Sequence, residues 1–497
     1  MKVLLINPNQ FREPIGPVAP VALDYLSGPL RAAGHEVKIV DLCFAKDSQL
    51  LSLIGDFRAD VTGFTLRNIA SMSVSVATDF LSRLRALVWH VKGAGLRNIV
   101  IGGAGFTVMP RAVFQALPEV DIGVVGEGEV SFVNLLGELA AGKRTFDTPG
   151  VIYRTVTGAI VENPRELLNL DDLPARERDT VDNAGYYRST PYVGVQTKRG
   201  CPLLCSYCMD PITYGRRMQG RMRTPAQVAD EFAYLSAQGI KAIWMADAEF
   251  NLPPQHALEV SRELARRKND VVWYCGMRPV VNTVPDELFE IMRAANCREV
   301  MLTIDSVSPK VARANGFAGQ TKDSVLEAAH RLRKHGFPVI FILLVGLPEQ
   351  GPAELEETLD FISIVRPHVT FFGTAVRIYP GTPMEAIALR EGIIQPGWNP
   401  LEEVFYRPEY VNEQLVPLIQ RRMATEPDWI LMNDDLRFGE VRERMIASRR
   451  FRGSNYDTYL YAKQHRAWVA ANVLGLKLRS YLDAKAERVR KRLRLTH

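Results

Sequence analysis

The chain lacks most of what would let it work outside a reducing, aqueous compartment. Among 497 residues there are six cysteines, and three of these, Cys43, Cys275 and Cys297, are scattered. They form no disulfide framework, so a reducing compartment is expected, and the cytoplasm fits. No apolar run approaches the ~20 residues that cross a bilayer; the longest, Val339 to Leu347, suits a buried strand. The start, Met1-Lys-Val-Leu-Leu-Ile-Asn-Pro8, has no small-residue cleavage site and runs straight into a strand, unlike a signal peptide. A net charge of +5 over this length is too small to argue for nucleic acid, although basic residues gather toward the carboxyl end.

What remains is an ordinary folded composition, 47% apolar and 24% charged. The length is too great for a single core and implies two or three domains.

The other three cysteines are concentrated in one stretch, Lys198-Arg-Gly-Cys-Pro-Leu-Leu-Cys-Ser-Tyr-Cys-Met-Asp210. Cys201, Cys205 and Cys208 stand in CxxxCxxC spacing directly after a short apolar run, Tyr192 to Val195, that reads as a strand. Three thiolates are one short of a closed zinc site, and one short of the usual set for a [4Fe–4S] cluster. Such a loop binds an adventitious zinc, or holds a cluster with one iron open to a ligand.

With Tyr207 before the last cysteine, the loop resembles that of the radical S-adenosylmethionine (radical SAM) enzymes. The resemblance implies a [4Fe–4S] cluster on Cys201, Cys205 and Cys208, its free iron chelated by the amino and carboxylate groups of SAM. An electron from the cluster would then break a carbon–sulfur bond of SAM.

Residues 1–145 alternate strands, at Lys2–Ile6, Val37–Asp41, Val61–Leu66, Asn98–Gly102 and Asp121–Val125, with helix-length segments. That pattern predicts a parallel, doubly wound Rossmann-like sheet, with ligands beyond the carboxyl ends of its strands. The loops there include Thr65-Leu66-Arg67-Asn68, Gly102-Gly103 and Gly126-Glu127-Gly128-Glu129. Glycine lets a backbone approach a flat cofactor closely. This arrangement resembles the cobalamin-binding domain attached to one branch of radical SAM enzymes, and implies that Arg67, Gly102, Gly103, Gly126 and Glu127 face cobalamin. One departure stands out. Neither His35 nor His90 lies in the Asp-x-His-x-x-Gly motif that places a histidine on cobalt, which leaves the lower face to Leu66 and Arg67.

Residues 146–188 hold turn formers and charges without sustained periodicity and read as a linker. From 189 to 395 strand and helix alternate in six units, which predicts a partial (β/α)6 barrel with its chemistry at the carboxyl ends of the strands. The strands read at Ala242–Ala246, Val271–Gly276, Val300–Ile304, Val339–Val345 and Val369–Ile378 after the first. Matched to the family, Asp247 and Glu249 would accept from the SAM amine, Arg278 would grip a carboxylate or ribose, Ser306 would donate to the SAM carboxylate and Gly346 would back the adenine. Thr303-Ile-Asp305-Ser306 departs from the Gly-x-Glu-Ser of relatives. Tyr379-Pro-Gly-Thr-Pro383 reads as a structural strand terminator. Cys275 and Cys297 are expected as buried thiols, with Cys275 facing the barrel mouth if it ends its strand.

Residues 396–497 read as a mainly helical cap, with helical segments through Trp429 and at Tyr459–Val473. The stretch from Lys477 to Arg494 reads as a basic amphipathic helix, packed on the protein or resting weakly on an anionic membrane. The resemblance implies a transferase that takes electrons from a flavodoxin or ferredoxin and acts on a small molecule, by cobalamin-dependent methylation. Transfer of the 3-amino-3-carboxypropyl group of SAM and radical rearrangement remain alternatives, as does a cluster-bearing sensor without turnover.

Overall fold

The computed structural model describes residues 1–9, 17–67, 69, 80–173, 177–190, 193–317, 319–432 and 455–464. Two seven-stranded sheets organise them. In the first, β1 (Lys2–Asn7), β2 (Glu36–Asp41), β3 (Val61–Thr65), β4 (Ile99–Gly102) and β5 (Ile122–Val124) run parallel in the order β2-β1-β3-β4-β5. Both faces are covered by helices, and accordingly β1 and β3 are buried almost end to end. A hairpin, β6 (Val151–Arg154) and β7 (Ile160–Glu162), continues the sheet antiparallel from β5. The segment 146–188 therefore carries more structure than its composition signals. Its short strands alternate too briefly to register as a pattern.

The second sheet is parallel throughout: β8 (Val193–Val195), β9 (Ala242–Met245), β10 (Val272–Met277), β11 (Cys297–Thr303), β12 (Val339–Leu344), β13 (Val369–Gly373) and a further edge strand from the carboxyl-terminal region. The helices between them begin where side chains satisfy the free amides. Thr224 caps Pro225–Ala237, and Thr321 caps Lys322–Lys334, each in a reciprocal capping box. Trp273, Cys275 and Met277 point to the helical side, into one core with Leu264, Leu288 and Phe289. Trp244 and Met301 lie on the opposite, inner face.

Three expectations are corrected. The strand predicted over Val369–Ile378 breaks after Gly373. Val376–Arg377 forms a separate strand, β14, paired antiparallel with β15 (Phe405–Tyr406), because Val376 and Ile378 are buried beneath the cysteine loop with Cys205, Leu347 and Met384. The carboxyl-terminal region is not mainly helical up to 432: it supplies β15 and also β16 (Trp429–Leu431), the seventh strand, parallel to β13. Trp429 and Leu431 join the helical-side core, which draws this short apolar run into the sheet. Finally, Cys275 does not face the mouth; it is fully buried on the helical side, beside Cys297.

Helix Asn455–Gln464 closes the lower end of the barrel, with Tyr459 buried against Ile340, Val369 and Phe371. The segments 465–473 and 477–494, read as helical above, lie outside the described residues.

The two sheets are joined through buried charge. Arg178 is fully enclosed, and its guanidinium donates to Asp24 Oδ2 of the first domain at 2.9 Å and to Glu231 Oε1 of the second at 2.5 Å. It also donates to Gly194 O at 3.0 Å and Asn183 Oδ1 at 3.0 Å. Glu231 takes Arg223 as well at 2.6 Å, and Tyr25 OH donates to it at 3.0 Å. Removing one partner from such a set leaves a charge buried and uncompensated, at a cost of about 3–5 kcal/mol. Arg178→Ala should therefore lower stability by that order, read as a fall in the urea midpoint of the chain. A loss under ~1 kcal/mol would show that the cluster does not hold the domains together.

Candidate functional site

The cysteine loop leaves β8 through Gln196-Thr197-Lys198-Arg199 and is fastened at every step. Asp247, at the end of β9, accepts Thr197 N at 2.8 Å, Thr197 Oγ1 at 2.5 Å and Lys198 N at 3.3 Å. Its Oδ2 also pairs with Lys198 Nζ at 3.3 Å. This carboxylate, expected at the SAM amine, is engaged in shaping the loop instead. Further along, Ser206 Oγ donates to Asn315 Oδ1 at 2.7 Å, and Met384 N donates to Ser206 O at 2.9 Å. The Tyr379–Pro383 turn thus serves structure, as expected: Thr382 caps the helix whose first residues hold the loop.

Cys201 and Cys205 are buried and Cys208 is nearly so. Burial pushes the thiol of Cys201 up to about 11 and raises those of Cys205 and Cys208, so these sulfurs stay protonated unless a metal displaces the proton. Among the described residues no three His, Cys, Asp or Glu side chains gather on one point as a mononuclear ion requires. A cubane cluster instead bonds each thiolate to a different iron.

Glu249 completes this end of the site. Its Oε2 is buried with no hydrogen-bond partner in the structure. Burial pushes its carboxyl up to about 7, with Arg278 pulling down and Asp305 pushing up. An orphaned buried acceptor beside the cysteines is what an ammonium donor would satisfy. The residues present fit a cluster with SAM.

Other expected SAM ligands are turned elsewhere. Ser306 Oγ shares a hydrogen bond with Thr358 Oγ1 at 3.2 Å and accepts Ser308 N at 3.2 Å, which engages its hydroxyl in the turn itself. Gly346 (φ +85°) donates its N–H to Gln350 Oε1 at 2.7 Å, and a Cβ there would meet Val411 at 2.7 Å. Its missing side chain makes room for the carboxyl-terminal region. Tyr207 OH donates to Asp305 Oδ2 at 2.6 Å, and Arg278 is bound to the same oxygen.

At the carboxyl ends of the first sheet a cavity of about 580 Å³ reaches from Gly102, Gly103 and Gly126 to Trp244 and Met301 inside the barrel. Arg67 lines it, whereas Leu66 is buried in the core of the first sheet. Gly103 (φ +105°) passes so close to the preceding loop that a Cβ would lie 2.7 Å from Leu66 O. The glycine wall and the length of the cavity fit a large flat cofactor.

Glu127 borders the cavity, but its carboxylate faces the other domain. It accepts Arg199 at 2.7 Å, both terminal nitrogens of Arg221 at 2.8 Å and Leu168 N at 3.1 Å. Arg199 pairs with Glu129 as well. Glu127, expected on cobalamin, is therefore an interdomain tie. Sequence reasoning missed Arg199 and Arg221 because a basic residue before Gly-Cys carries no sign of its distant partner.

A cysteine loop on an open parallel barrel, flanked by Arg199 and Asp247 that line a glycine-walled cavity on a Rossmann-like sheet, offers sites for two cofactors. Residues 195–362 match the model of the radical SAM superfamily, and residues 13–136 match that of the B12 binding domain. The chain belongs to the radical SAM superfamily, in the branch that carries an amino-terminal B12-binding domain. It is 26% identical over 435 residues to an uncharacterised methyltransferase of Pyrococcus horikoshii, covering 85% of this chain and 91% of the relative. To the tryptophan 2-C-methyltransferase of Streptomyces laurentii it is 27% identical over 450 residues, covering 76% and 73%. The solved radical SAM methyltransferase TsrM of Kitasatospora setae, with cobalamin and a [4Fe–4S] cluster bound, superposes with a TM-score of 0.72 at 28% identity, over 78% of this chain and 75% of that one. The cobalamin-dependent enzyme OxsB, at 18% identity and a TM-score of 0.69, shares the fold over 94% of this chain and 71% of its own.

Replacing Cys201, Cys205 or Cys208 with alanine should abolish the broad iron–sulfur absorbance near 400 nm (a rough position) after anaerobic reconstitution. Cys43→Ala should leave it intact. Equal loss from both kinds of variant would refute the cluster assignment.

Proposed function

We propose that this chain is a cobalamin-dependent radical SAM methyltransferase acting on a small molecule. The observation that carries the reading is the single cavity that joins the glycine wall of the B12-binding domain to the inner face of the barrel, with Arg199 tying the cysteine loop to the loop after β5. Arg199 and Asp247, which border and fasten the cysteine loop, line the same chamber as the glycine wall, and that closeness suits the passage of a methyl group between a centre on the loop and one on the wall. The similarity to two methyltransferases over most of the chain supports the same reading.

When bound, the cluster supplies a single electron to the SAM sulfonium, and cobalamin supplies a carrier for the methyl group. The chain does the rest. Cys201, Cys205 and Cys208 would hold the cluster, and Glu249 would accept from the SAM amine. Gly102, Gly103 and Gly126 would let the backbone lie against the corrin, and Arg67 would contact it from the wall of the same cavity. Trp244 and Met301 give the chamber an apolar lining on its barrel side.

The electrons come from an external carrier such as a flavodoxin or ferredoxin, since the remaining cysteines are scattered through the chain. That need, with cysteines that form no disulfide framework, suits a reducing compartment such as the cytoplasm. No helix among the described residues is long and apolar enough to cross a membrane.

Incubated anaerobically with SAM, hydroxocobalamin and dithionite, the reconstituted chain should yield S-adenosylhomocysteine, and 5′-deoxyadenosine if a radical activates the acceptor. Methylthioadenosine as the product would instead indicate aminocarboxypropyl transfer and overturn the methylation reading. Separately, the wild-type chain should carry hydroxocobalamin through gel filtration, and Gly103→Val should retain at least ~10-fold less, since its side chain meets Leu66 and its backbone resists the left-handed conformation. Equal retention would show that the glycine wall does not bind the corrin.

A further inference from the structure

Arg278 sits at the end of β10 with 2% of its surface exposed, and each of its nitrogens is assigned. Nη1 donates to the Cys205 sulfur at 3.1 Å, Nη2 to Asp305 Oδ2 at 2.6 Å and Nε to Gln320 Oε1 at 3.2 Å. The flat face of the guanidinium lies 4.4 Å from the centre of the Phe317 ring. The side chain thus commits three of its five N–H groups to partners within the chain. It is aimed at a cluster ligand.

The groups around it are themselves fixed. Asp305 adopts a left-handed backbone (φ +46°), which aspartate tolerates better than most residues. Its Oδ1 accepts Leu344 N at 3.0 Å, while Oδ2 takes Tyr207 OH at 2.6 Å together with Arg278. Gln320 is anchored by donating to Ile304 O at 2.5 Å and Ser306 O at 2.9 Å. The departure from Gly-x-Glu-Ser in the sequence thus has a physical counterpart. The shorter acid at 305, on its turned backbone, faces Arg278 rather than the SAM site.

We propose that Arg278 raises the reduction potential of the cluster by donating a charged hydrogen bond to Cys205, and that Asp305 and Gln320 are positioning residues that hold it in place. The inference rests on the cluster assignment above. Reduction adds negative charge to a cluster, and a buried cation donating to one of its sulfurs stabilises the reduced form over the oxidised one. In a site closed to water that effect is weakly screened. A merely structural arginine would brace the loop without moving the potential.

The test is a redox titration of the anaerobically reconstituted full-length chain, without SAM, followed by electron paramagnetic resonance and paired with iron and sulfide analysis. Arg278→Gln should keep four irons and shift the midpoint to a more negative potential. Arg278→Lys, which keeps the charge but cannot reach Cys205 and Asp305 together, should fall between that variant and wild type. An unchanged or more positive midpoint in Arg278→Gln overturns the proposal. If that variant fails to load, Arg278→Lys decides by the same criterion. Loss of the cluster from both variants would assign Arg278 a structural role and overturn it too. A wild-type chain that takes up no iron refutes the cluster assignment itself, a failure distinct from any seen only in the variants.

Discussion

The contact between Arg199 and the acids of the loop after β5 is the constraint on which the rest of this structure depends. Arg199 lies two residues before Cys201, and Glu127 and Glu129 lie at the start of helix Gly128–Ala140 in the B12-binding domain. The ion pairs therefore run from the loop that carries the cysteines to the loop that walls the cavity. All three side chains are at least nine-tenths buried, and Arg221 adds a second cation to Glu127. A buried ion pair gives little net stability over an apolar contact of the same shape, because desolvation offsets the attraction. What it does give is direction. Each charge must find its partner, so a slide of one domain over the other would strand charges in an apolar medium.

That argument extends to the neighbouring group in which Arg178 joins Asp24 to Glu231 and Arg223. The two groups meet at Gln196, whose side chain accepts Arg199 Nε at 3.2 Å and whose carbonyl accepts Arg223 at 2.6 Å, so the buried charge forms one continuous tie between the domains. The cavity between the domains inherits that rigidity. A methyl carrier on the glycine wall and a cluster on the loop that Arg199 ties to it would need a constant separation, and reacting groups misplaced by about 1 Å lose much of their rate. The same chain also closes the lower end of the barrel with helix Asn455–Gln464, through Tyr459 and the Arg298–Asp457 pair.

Much of this was legible in the residues. The five parallel strands of the first sheet and the strands and helices of the barrel show in the sequence as apolar runs with turn signals between them, and the cysteine spacing marked its own chemistry. What stayed hidden were features set by distant neighbours. The hairpin β6–β7 and strand β16 are three or four residues long, too short for period to declare itself, and each exists because an open sheet edge accepts it. The inward or outward direction of Cys275 depended on register along β10. The polar residues at strand ends were found, yet their roles were not, since sequence places a carboxylate at the mouth without saying which partner it takes.

Those roles follow from one rule of accounting for buried polar groups, that nearly all are paired within the protein. Asp247, Glu127, Ser306 and Arg278 were all expected to face a cofactor, and each is matched by neighbours of its own chain. Glu249 is the exception, with Oε2 buried and unmatched. A carboxylate left so costs free energy unless something outside the polypeptide completes it. Among the acids near this mouth, Glu249 is the one the fold leaves open, while Asp247 and Glu127 are part of the frame that holds the loop. The division is visible only when every hydrogen bond is counted, because by residue type and position alone Asp247 and Glu249 are indistinguishable.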